Sequence, residues 1–144
     1  MARKKNYEDW EGCPLRYAAG ILGDRWSLLI LRDLMFKGHR RYRDFLSGDE
    51  GIATNVLAGR LLALEKRGIL CKRPDPAHSA RATYHLTSMG LDLLPTVLEL
   101  IVWAEKYDTK TEVPAPFISQ LEENKEAFLQ KIRADITARD LEFN

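Results

Sequence analysis

Residues 41–68 read RYRDFLSGDEGIATNVLAGRLLALEKRG, and this stretch decides the fold. Its first part, 41–48, predicts a short helix that ends at a glycine, and 53–67 predicts a longer helix. One face of the longer helix carries apolar residues at the spacing that a core requires. These apolar residues are Leu57, Leu61 and Leu64. A short helix, a glycine-containing turn and an amphipathic helix together indicate a helix-turn-helix.

The opposite face of the longer helix carries residues that suit contact with DNA. With the leucine row turned inward, the outward residues are Asn55, Ala58, Gly59, Leu62 and Lys66. Small side chains let a helix lie close to base edges in the major groove, which would account for a glycine that costs the helix roughly 1 kcal/mol relative to alanine. Asn55 suits bidentate contact with adenine, Ala58 suits a thymine methyl group, and Arg60 on the flank can reach a phosphate.

Thr54 and Asn55 have two interpretations at the start of this helix. Thr54 suits a phosphate contact and Asn55 a base contact, but both residue types also favour helix capping in any protein. The surrounding basic residues favour the DNA interpretation, because they fall at the two places where a winged helix needs phosphate contacts. These residues are Lys37, Arg40, Arg41 and Arg43 before the helix pair, and Arg73, His78 and Arg81 around the hairpin described next.

The sequence after Gly68 changes to strand periodicity. Residues 69–73 and 81–86 read as strands, and the turn-rich segment 74–79 predicts a hairpin with a long tip. A hairpin in this position is a wing, which we place at about 74–81 and expect on the DNA backbone or in the minor groove.

Further helices are predicted on both sides of this unit. We expect a short helix over 14–22 with Cys13 at its cap, and a helix that Asp24 caps and Gly38 ends. A connector with two prolines and a single amphipathic helix over about 117–137 follow near the end of the chain. We therefore divide the chain into residues 12–107, for DNA binding and dimerisation, and residues 108–144.

A long helix is expected from the cap residue Thr87 to about Tyr107, with a bend or a break at Pro95. It carries two adjacent apolar rows, one of them formed by Leu91, Leu94, Leu98 and Ile101. A domain of this size explains one buried row but explains a second row poorly. We therefore expect this helix to contact a second copy of the chain.

Composition limits the class of protein. The chain has 144 residues, 45% hydrophobic and 30% charged, which is typical of one soluble globular domain. The N-terminal segment MARKKNYEDW has no apolar stretch behind it, so we expect no signal peptide, and no stretch is long enough to span a membrane. Two distant cysteines fit a reducing cytoplasm. Residues 1–81 carry 16 Lys and Arg against 10 Asp and Glu, and residues 82–144 carry 6 against 11, so that the first part suits a polyanion.

No pattern for catalysis is found in the sequence. The histidines, His39, His78 and His85, lie at no spacing that suggests a triad or a metal site. The glycines form no phosphate-binding loop. We expect no enzyme activity, no cofactor and no metal.

The chain resembles the HxlR-type transcriptional regulators at about residues 12–107. The resemblance rests on Cys13-Pro14, ILGDRWSLLIL (21–31), RYRDF (41–45), GIATNVL (51–57) with Arg60-Leu61 and Leu64-Glu65, YHLT (84–87), and the stretch from Gly90 to Trp103. It departs from the family pattern at Gly59 and Leu62, where polar residues are more usual.

The resemblance implies a mainly α fold with a small β-hairpin, a winged helix-turn-helix with long dimerisation helices. It implies a bacterial homodimer that binds operator DNA and represses or activates neighbouring genes, and of these two we expect repression. The implied dimer uses the first helix and the helix after the wing. On that basis the expected interface is Leu15, Tyr17, Leu91, Leu94, Leu98, Ile101 and Trp103.

Two alternatives stay open at this point. Some members of the family sense oxidants through a cysteine at the position of Cys13, and a thiol at a helix N-terminus beside Arg16 has a lowered pKa. A sensor of this kind, or one switched by an unidentified small molecule at the dimer interface, is one alternative. The other is a protein-interaction winged helix with an incidental basic surface.

Overall fold

The computed structural model describes residues 12–144, and its order of elements confirms a mainly α fold with one β-hairpin. The segment MARKKNYEDW, on which the expected lack of a signal peptide depends, lies outside the described residues. The elements are α1 (Pro14–Leu22), α2 (Ser27–Phe36), α3 (Tyr42–Leu46), α4 (Thr54–Lys66), β1 (Leu70–Asp75), β2 (His78–Leu86), α5 (Ser88–Leu91), α6 (Leu94–Tyr107), α7 (Ala115–Glu123) and α8 (Lys125–Leu141).

Helix α2 lies at the centre of the core and contacts α1, α6 and α8. Its N-cap is Trp26 and not the predicted Asp24, but the Asp24 side chain holds the turn before the helix, since the backbone N–H groups of Trp26 and Ser27 donate to Asp24 Oδ2 at 2.8 and 2.9 Å. The core joins apolar rows from α2, α4 and α6, and each fully buried leucine contributes about 1.5–3 kcal/mol relative to an exposed one. The buried leucines of these three helices are Leu31, Leu34, Leu57, Leu61, Leu64, Leu94 and Leu98.

The helix-turn-helix consists of α3 and α4, as predicted. Phe45 is buried beneath α3, and the Tyr42 hydroxyl donates to the Thr54 carbonyl at 2.6 Å, which ties α3 to the start of α4. The turn between them contains Gly51, whose φ of +68° is a left-handed conformation that glycine adopts without strain.

The hairpin differs from the prediction in its tip. The two strands pair antiparallel from Leu70↔Leu86 to Pro74↔Ala82, with an irregularity before Asp75↔His78, and only residues 76 and 77 form the turn. The predicted long tip is therefore wrong. Asp75 closes the turn, because its Oδ1 accepts a hydrogen bond from the Ala77 N–H at 2.9 Å.

The expected long helix is divided into α5 and α6. Thr87 caps α5 as predicted, accepting a hydrogen bond from the Gly90 N–H at 3.1 Å, and Pro95 lies in the first turn of α6, just after the break. Leu94 and Leu98 have no exposed surface in the single chain, because their row packs against its own core. Their assignment to a dimer interface is wrong for that reason. Leu91 and Ile101 are half-buried against the same core.

The C-terminal segment contains two helices and not the single helix expected over 117–137. They meet at Asn124, whose φ of −156° is extended and whose side chain caps α8 by accepting from the Ala127 N–H at 3.1 Å. Helix α8 packs on α2 and buries Phe128 and Ile136 in the common hydrophobic core. The segment after residue 107 is therefore an integral layer of the fold.

Two glycines lead to opposite predictions for stability. A Cβ at Gly59 would meet nothing within 4 Å, so Gly59→Ala should raise the free energy of unfolding by up to about 1 kcal/mol through helix propensity. A Cβ at Gly90 would lie 2.2 Å from the Ile69 carbonyl oxygen, so Gly90→Ala should lower it by about 1–3 kcal/mol through overpacking. Urea unfolding of both variants measures the difference, and a stabilised Gly90→Ala variant would contradict the packing described.

Candidate nucleic-acid interface

The outward face of α4 is the one that the sequence predicts. Thr54, Asn55, Ala58 and Gly59 are exposed, and Leu62 retains 45% of its surface. Lys66 is also exposed at the end of the helix. A surface of small and polar residues that also includes Leu62 thus runs along α4, opposite its buried leucine row. At Ala58 and Gly59, almost no side chain covers the backbone of α4.

The capping interpretation of Thr54 and Asn55 finds no support in the geometry. The N-cap of α4 is Ala53, which has an extended backbone and makes no side-chain capping bond. Thr54 is the first helical residue and Asn55 the second, and both side chains point into solvent. The two polar side chains are therefore available to a ligand at the start of α4.

A groove of about 460 Å³ separates the N-terminal part of α3 from the hairpin. Arg43 on α3 and Arg81 on β2 line it, and both are exposed. The fold thus brings together two of the arginines predicted to contact phosphates, although 38 positions separate them in the sequence. The other lining residues are Arg41, Tyr42, Asp75, Ala82 and Tyr84.

Arg41 has a different role from the predicted phosphate contact. Its Nε and Nη2 donate to Asp75 Oδ2 and Oδ1 at 2.6 and 3.2 Å, and its guanidinium carbon lies 4.9 Å from the Phe143 ring centroid. The hydrogen bond from Arg41 lowers the pKa of Asp75 to about 2. Because Asp75 already neutralises Arg41, this arginine offers little charge to a phosphate. It links α3 to the hairpin turn.

Arg40 is buried, with 1% of its surface exposed, and the expectation that it contributes to a basic surface is wrong. Its Nε donates to Asp140 Oδ1 at 2.8 Å, and its Nη1 donates to the carbonyls of Leu34 and His39 at 2.9 and 2.8 Å. A buried arginine requires such partners, because an unpaired charge is costly inside a protein. The partner Asp140 lies on α8, 100 positions along the chain.

Asp140 also meets His85, which has no exposed surface. His85 Nδ1 lies 2.8 Å from Asp140 Oδ1, and His85 Nε2 lies 2.8 Å from Thr83 Oγ1. Burial raises the pKa of Asp140, but the hydrogen bond from His85 and the charge of Arg40 outweigh burial and leave that pKa below its usual value. The Asp140 carboxylate thus accepts from His85 Nδ1, and the Thr83 hydroxyl lies between His85 Nε2 and the Arg73 carbonyl, whose oxygen is 3.4 Å from Thr83 Oγ1.

This hydroxyl–imidazole–carboxylate row has the connectivity of a nucleophile with its base. Burial argues against that use, because Thr83 and His85 both have no exposed surface and a substrate cannot reach the hydroxyl. Sequence reasoning missed the row, since the carboxylate comes from a helix 55 positions after the histidine. Only the alternation of Thr83 and His85 on one strand face could have drawn attention to it.

The two remaining predicted DNA contacts are Arg60 and His78. Arg60 lies on the flank of α4, with its Nη1 3.8 Å from Asp24 Oδ1, so part of its charge is matched by the turn before α2. His78 is exposed beside the hairpin turn. Both stay predictions as DNA contacts.

Cys13 occupies the N-cap of α1 and is half-buried. Backbone N–H groups of Arg16 and Leu15 lower the pKa of its thiol, and the charge of Arg16 adds to this effect. Thiolate character at this position is therefore favoured.

Part of the expected dimer surface is exposed in the single chain. Leu15 retains 79% of its surface and Trp103 66%, and Tyr17 is also exposed. These residues come from α1 and α6, which both pack against α2. Large apolar residues at such exposure often mark an interaction surface.

The family model for HxlR-like helix-turn-helix proteins matches residues 21–112. The chain belongs to this family. An HTH-type transcriptional regulator of Synechocystis sp. is 34% identical over 94 residues, which cover 65% of this chain and 69% of that one. The HTH-type regulator YodB of Bacillus subtilis is 31% identical over 96 residues, which cover 66% of this chain and 85% of that one. A Mycobacterium tuberculosis regulator is 34% identical over 105 residues, and the match spans 65% of its length, just under two thirds.

Solved structures agree with this family assignment. The crystal structure of PA1607 superposes with a TM-score of 0.64 at 33% identity, covering 72% of this chain and 71% of that one. The redox regulator HypR in its oxidized form gives a TM-score of 0.59 at 26% identity, covering 67% and 98%. The chain is thus a helix-turn-helix transcriptional regulator of the HxlR-like family. Among residues 12–144, no helix combines the length and apolarity that crossing a membrane requires.

The ion pair of Arg41 with Asp75 predicts an acid-dependent loss of stability. Because the pKa of Asp75 is depressed in the folded chain, the pair stabilises the fold above the unfolded-state pKa of about 3.9 and loses this effect as pH falls toward about 2. Asp75→Asn should therefore be less stable than the parent chain above pH 5, with the gap closing between pH 4 and pH 2. Urea unfolding across this range measures the gap, and Asp49→Asn, at an exposed position, is the control. A gap that widens on acidification would contradict the assignment.

Proposed function

We propose that this HxlR-like protein is a sequence-specific DNA-binding regulator that acts as a homodimer, with α4 in the major groove and the hairpin on the adjacent backbone or minor groove. One observation carries the proposal. The exposed face of α4 presents Asn55, Ala58 and Gly59, and the groove with Arg43 and Arg81 lies between the other helix of the pair and the hairpin. The direct contacts to DNA and to the second copy come from residues 12–107 in this proposal.

The chemistry of the two surfaces is complementary to a duplex. Asn55 can form two hydrogen bonds with adenine, and Thr54 in the first turn can reach a phosphate. At Ala58 and Gly59 the backbone can approach the groove floor, because the only side-chain group there is the Ala58 methyl. Arg43 and Arg81 supply charge for phosphates on either side of their groove.

Dimerisation would follow from the exposed apolar residues of α1 and α6. Leu15, Tyr17 and Trp103 would be covered by the second copy, which places two α4 helices on one duplex. A dimer with two-fold symmetry reads a roughly palindromic operator. We expect it to repress, because a bound dimer blocks the DNA that it covers, and to act in the cytoplasm where bacterial DNA lies.

Selection of bound sequences from a random duplex pool should give an operator, and three variants then test the contacts. Asn55→Ala should lose about 1–3 kcal/mol of discrimination at one base pair per half-site. Arg43→Ala and Arg81→Ala should weaken binding to all sequences alike. Each should also lower the salt slope, the change of log affinity with log salt concentration, by about one for the phosphate contact that is lost. Lys131→Ala, which removes an exposed charge from α8, is the matched control.

The results separate this proposal from a protein-interaction role. If the parent chain binds all duplexes weakly and without preference, the winged helix serves another partner. If it binds an operator but Asn55→Ala keeps full discrimination, the proposed orientation of α4 is wrong.

A second candidate function is redox control through Cys13. It is favoured by the lowered pKa of this thiol at the N-terminus of α1, and by the similarity to HypR, which is described as a redox regulator. Oxidation of a thiol at the edge of the proposed dimer surface would then alter operator affinity.

Mild oxidation should therefore release the operator from the parent chain and leave Cys13→Ser bound. Cys71→Ser, which changes the other described cysteine, should respond like the parent. Mass spectrometry must verify oxidation of Cys13. Unchanged operator affinity after verified oxidation would remove this candidate.

A further inference from the structure

The last residues of the chain hold the hairpin against the helix-turn-helix. Helix α8 extends to Leu141, and Asp140 and Phe143 both reach the junction of α3 with β2. We call Asp140 and Phe143 the C-terminal clamp. They lie outside residues 21–112, which match the family model.

Asp140 joins the two parts directly. Its Oδ1 accepts from Arg40, which precedes α3, and from His85 on β2, at 2.8 Å in both cases. A main-chain hydrogen bond joins the same two segments, since the Tyr84 N–H donates to the Arg40 carbonyl at 2.8 Å. One carboxylate oxygen thus bridges the start of the helix-turn-helix and the base of the wing.

Phe143 provides the apolar half of the clamp. It is buried, its ring centroid lies 6.0 Å from that of His85, and the guanidinium carbons of Arg41 and Arg139 both lie 4.9 Å from its ring centroid. Through Arg41 the ring supports the ion pair to Asp75 at the hairpin turn. The two clamp residues therefore contact both the base of the hairpin and the arginine that holds its tip.

The hairpin needs such support because a two-stranded sheet is marginally stable on its own. One face of β2 packs on the core through Tyr84, whose ring lies 6.2 Å from that of Phe45. The other face carries Thr83 and His85, and the clamp covers it. Without the clamp, the wing would be held from one side only.

We propose that the C-terminal clamp is part of the DNA-binding unit, in which Asp140 and Phe143 are positioning residues that set the wing relative to α4. The inference rests on the proposed DNA-binding function. The clamp touches no DNA in this scheme. It acts by keeping Arg81 on β2 at a fixed place while α4 occupies the major groove, so that both contacts form together.

A purely structural role would have a different signature. Loss of general stability reduces the folded fraction but leaves the contacts of the folded molecules unchanged. Loss of positioning leaves the core intact, loosens the hairpin alone and removes the phosphate contact of the wing. The salt dependence of operator binding counts phosphate contacts and therefore separates the two cases.

The experiment compares Asp140→Asn and Phe143→Leu with the parent chain. Asp135→Asn removes the same charge from an exposed position on α8 and is the matched control. Phe143→Leu keeps Asp140 beside Arg40, so it stays informative if Asp140→Asn does not fold. Hydrogen exchange without DNA is measured for hairpin and α2 amides, and operator affinity is measured over a range of salt concentrations.

Both clamp variants should show about tenfold faster exchange in the hairpin, with exchange in α2 unchanged. Operator affinity should fall about tenfold, and the salt slope should fall by about one per protomer. Asp135→Asn should match the parent chain in both measurements.

Four results would overturn the inference or its basis. Unchanged hairpin exchange in both variants overturns it, as does weaker binding with an unchanged salt slope. If the parent chain binds a selected operator and both variants bind it equally well, the inference fails while the proposed function stands. If the parent chain binds no duplex with preference, the proposed function fails, and the exchange measurement still decides whether the clamp holds the hairpin.

Discussion

Burial of the leucine row on α4 is the constraint on which the rest of the structure depends. Leu57, Leu61 and Leu64 have almost no exposed surface in the common core, where α4 packs against β1 and α3, and this fixes the rotation of the helix about its axis. Because a helix has one opposite face, Asn55, Ala58 and Gly59 must then point outward. The surface proposed to read DNA is thus set by the core beneath it, and a rotation of α4 would expose leucines to water.

The features that could be predicted from the sequence depend on neighbours a few positions apart. The inward and outward faces of α4 follow from helical periodicity, the cap at Thr87 from its hydroxyl, and the break before α6 from Pro95. The winged helix-turn-helix follows from the order of these elements. Arg43 and Arg81 could likewise be placed at the proposed DNA surface from their positions in the helix-turn-helix and the hairpin, without knowledge of the groove that they share.

The features that could not be predicted depend on contacts between distant parts of the chain. A run of arginines before α3 gives no sign that Arg40 is buried, because its partner Asp140 lies 100 positions away on a helix whose packing no local pattern defines. For a similar reason, periodicity shows that the row with Leu94 and Leu98 is apolar but does not show that the chain's own core covers it. The excess of basic residues in 1–81 over 82–144 also overstates the charge at the surface, because Asp140 of the second part neutralises the buried Arg40 of the first.

The open space over Gly59 has a consequence for how proteins of this fold can diverge. A Cβ added there would meet no neighbouring atom within 4 Å and the position faces outward, so a larger residue could be accepted without repacking the core. Sequence preference could then change through a single codon while the fold and the dimer stay the same. After gene duplication, such a position would let one copy acquire a separate operator at almost no cost in stability.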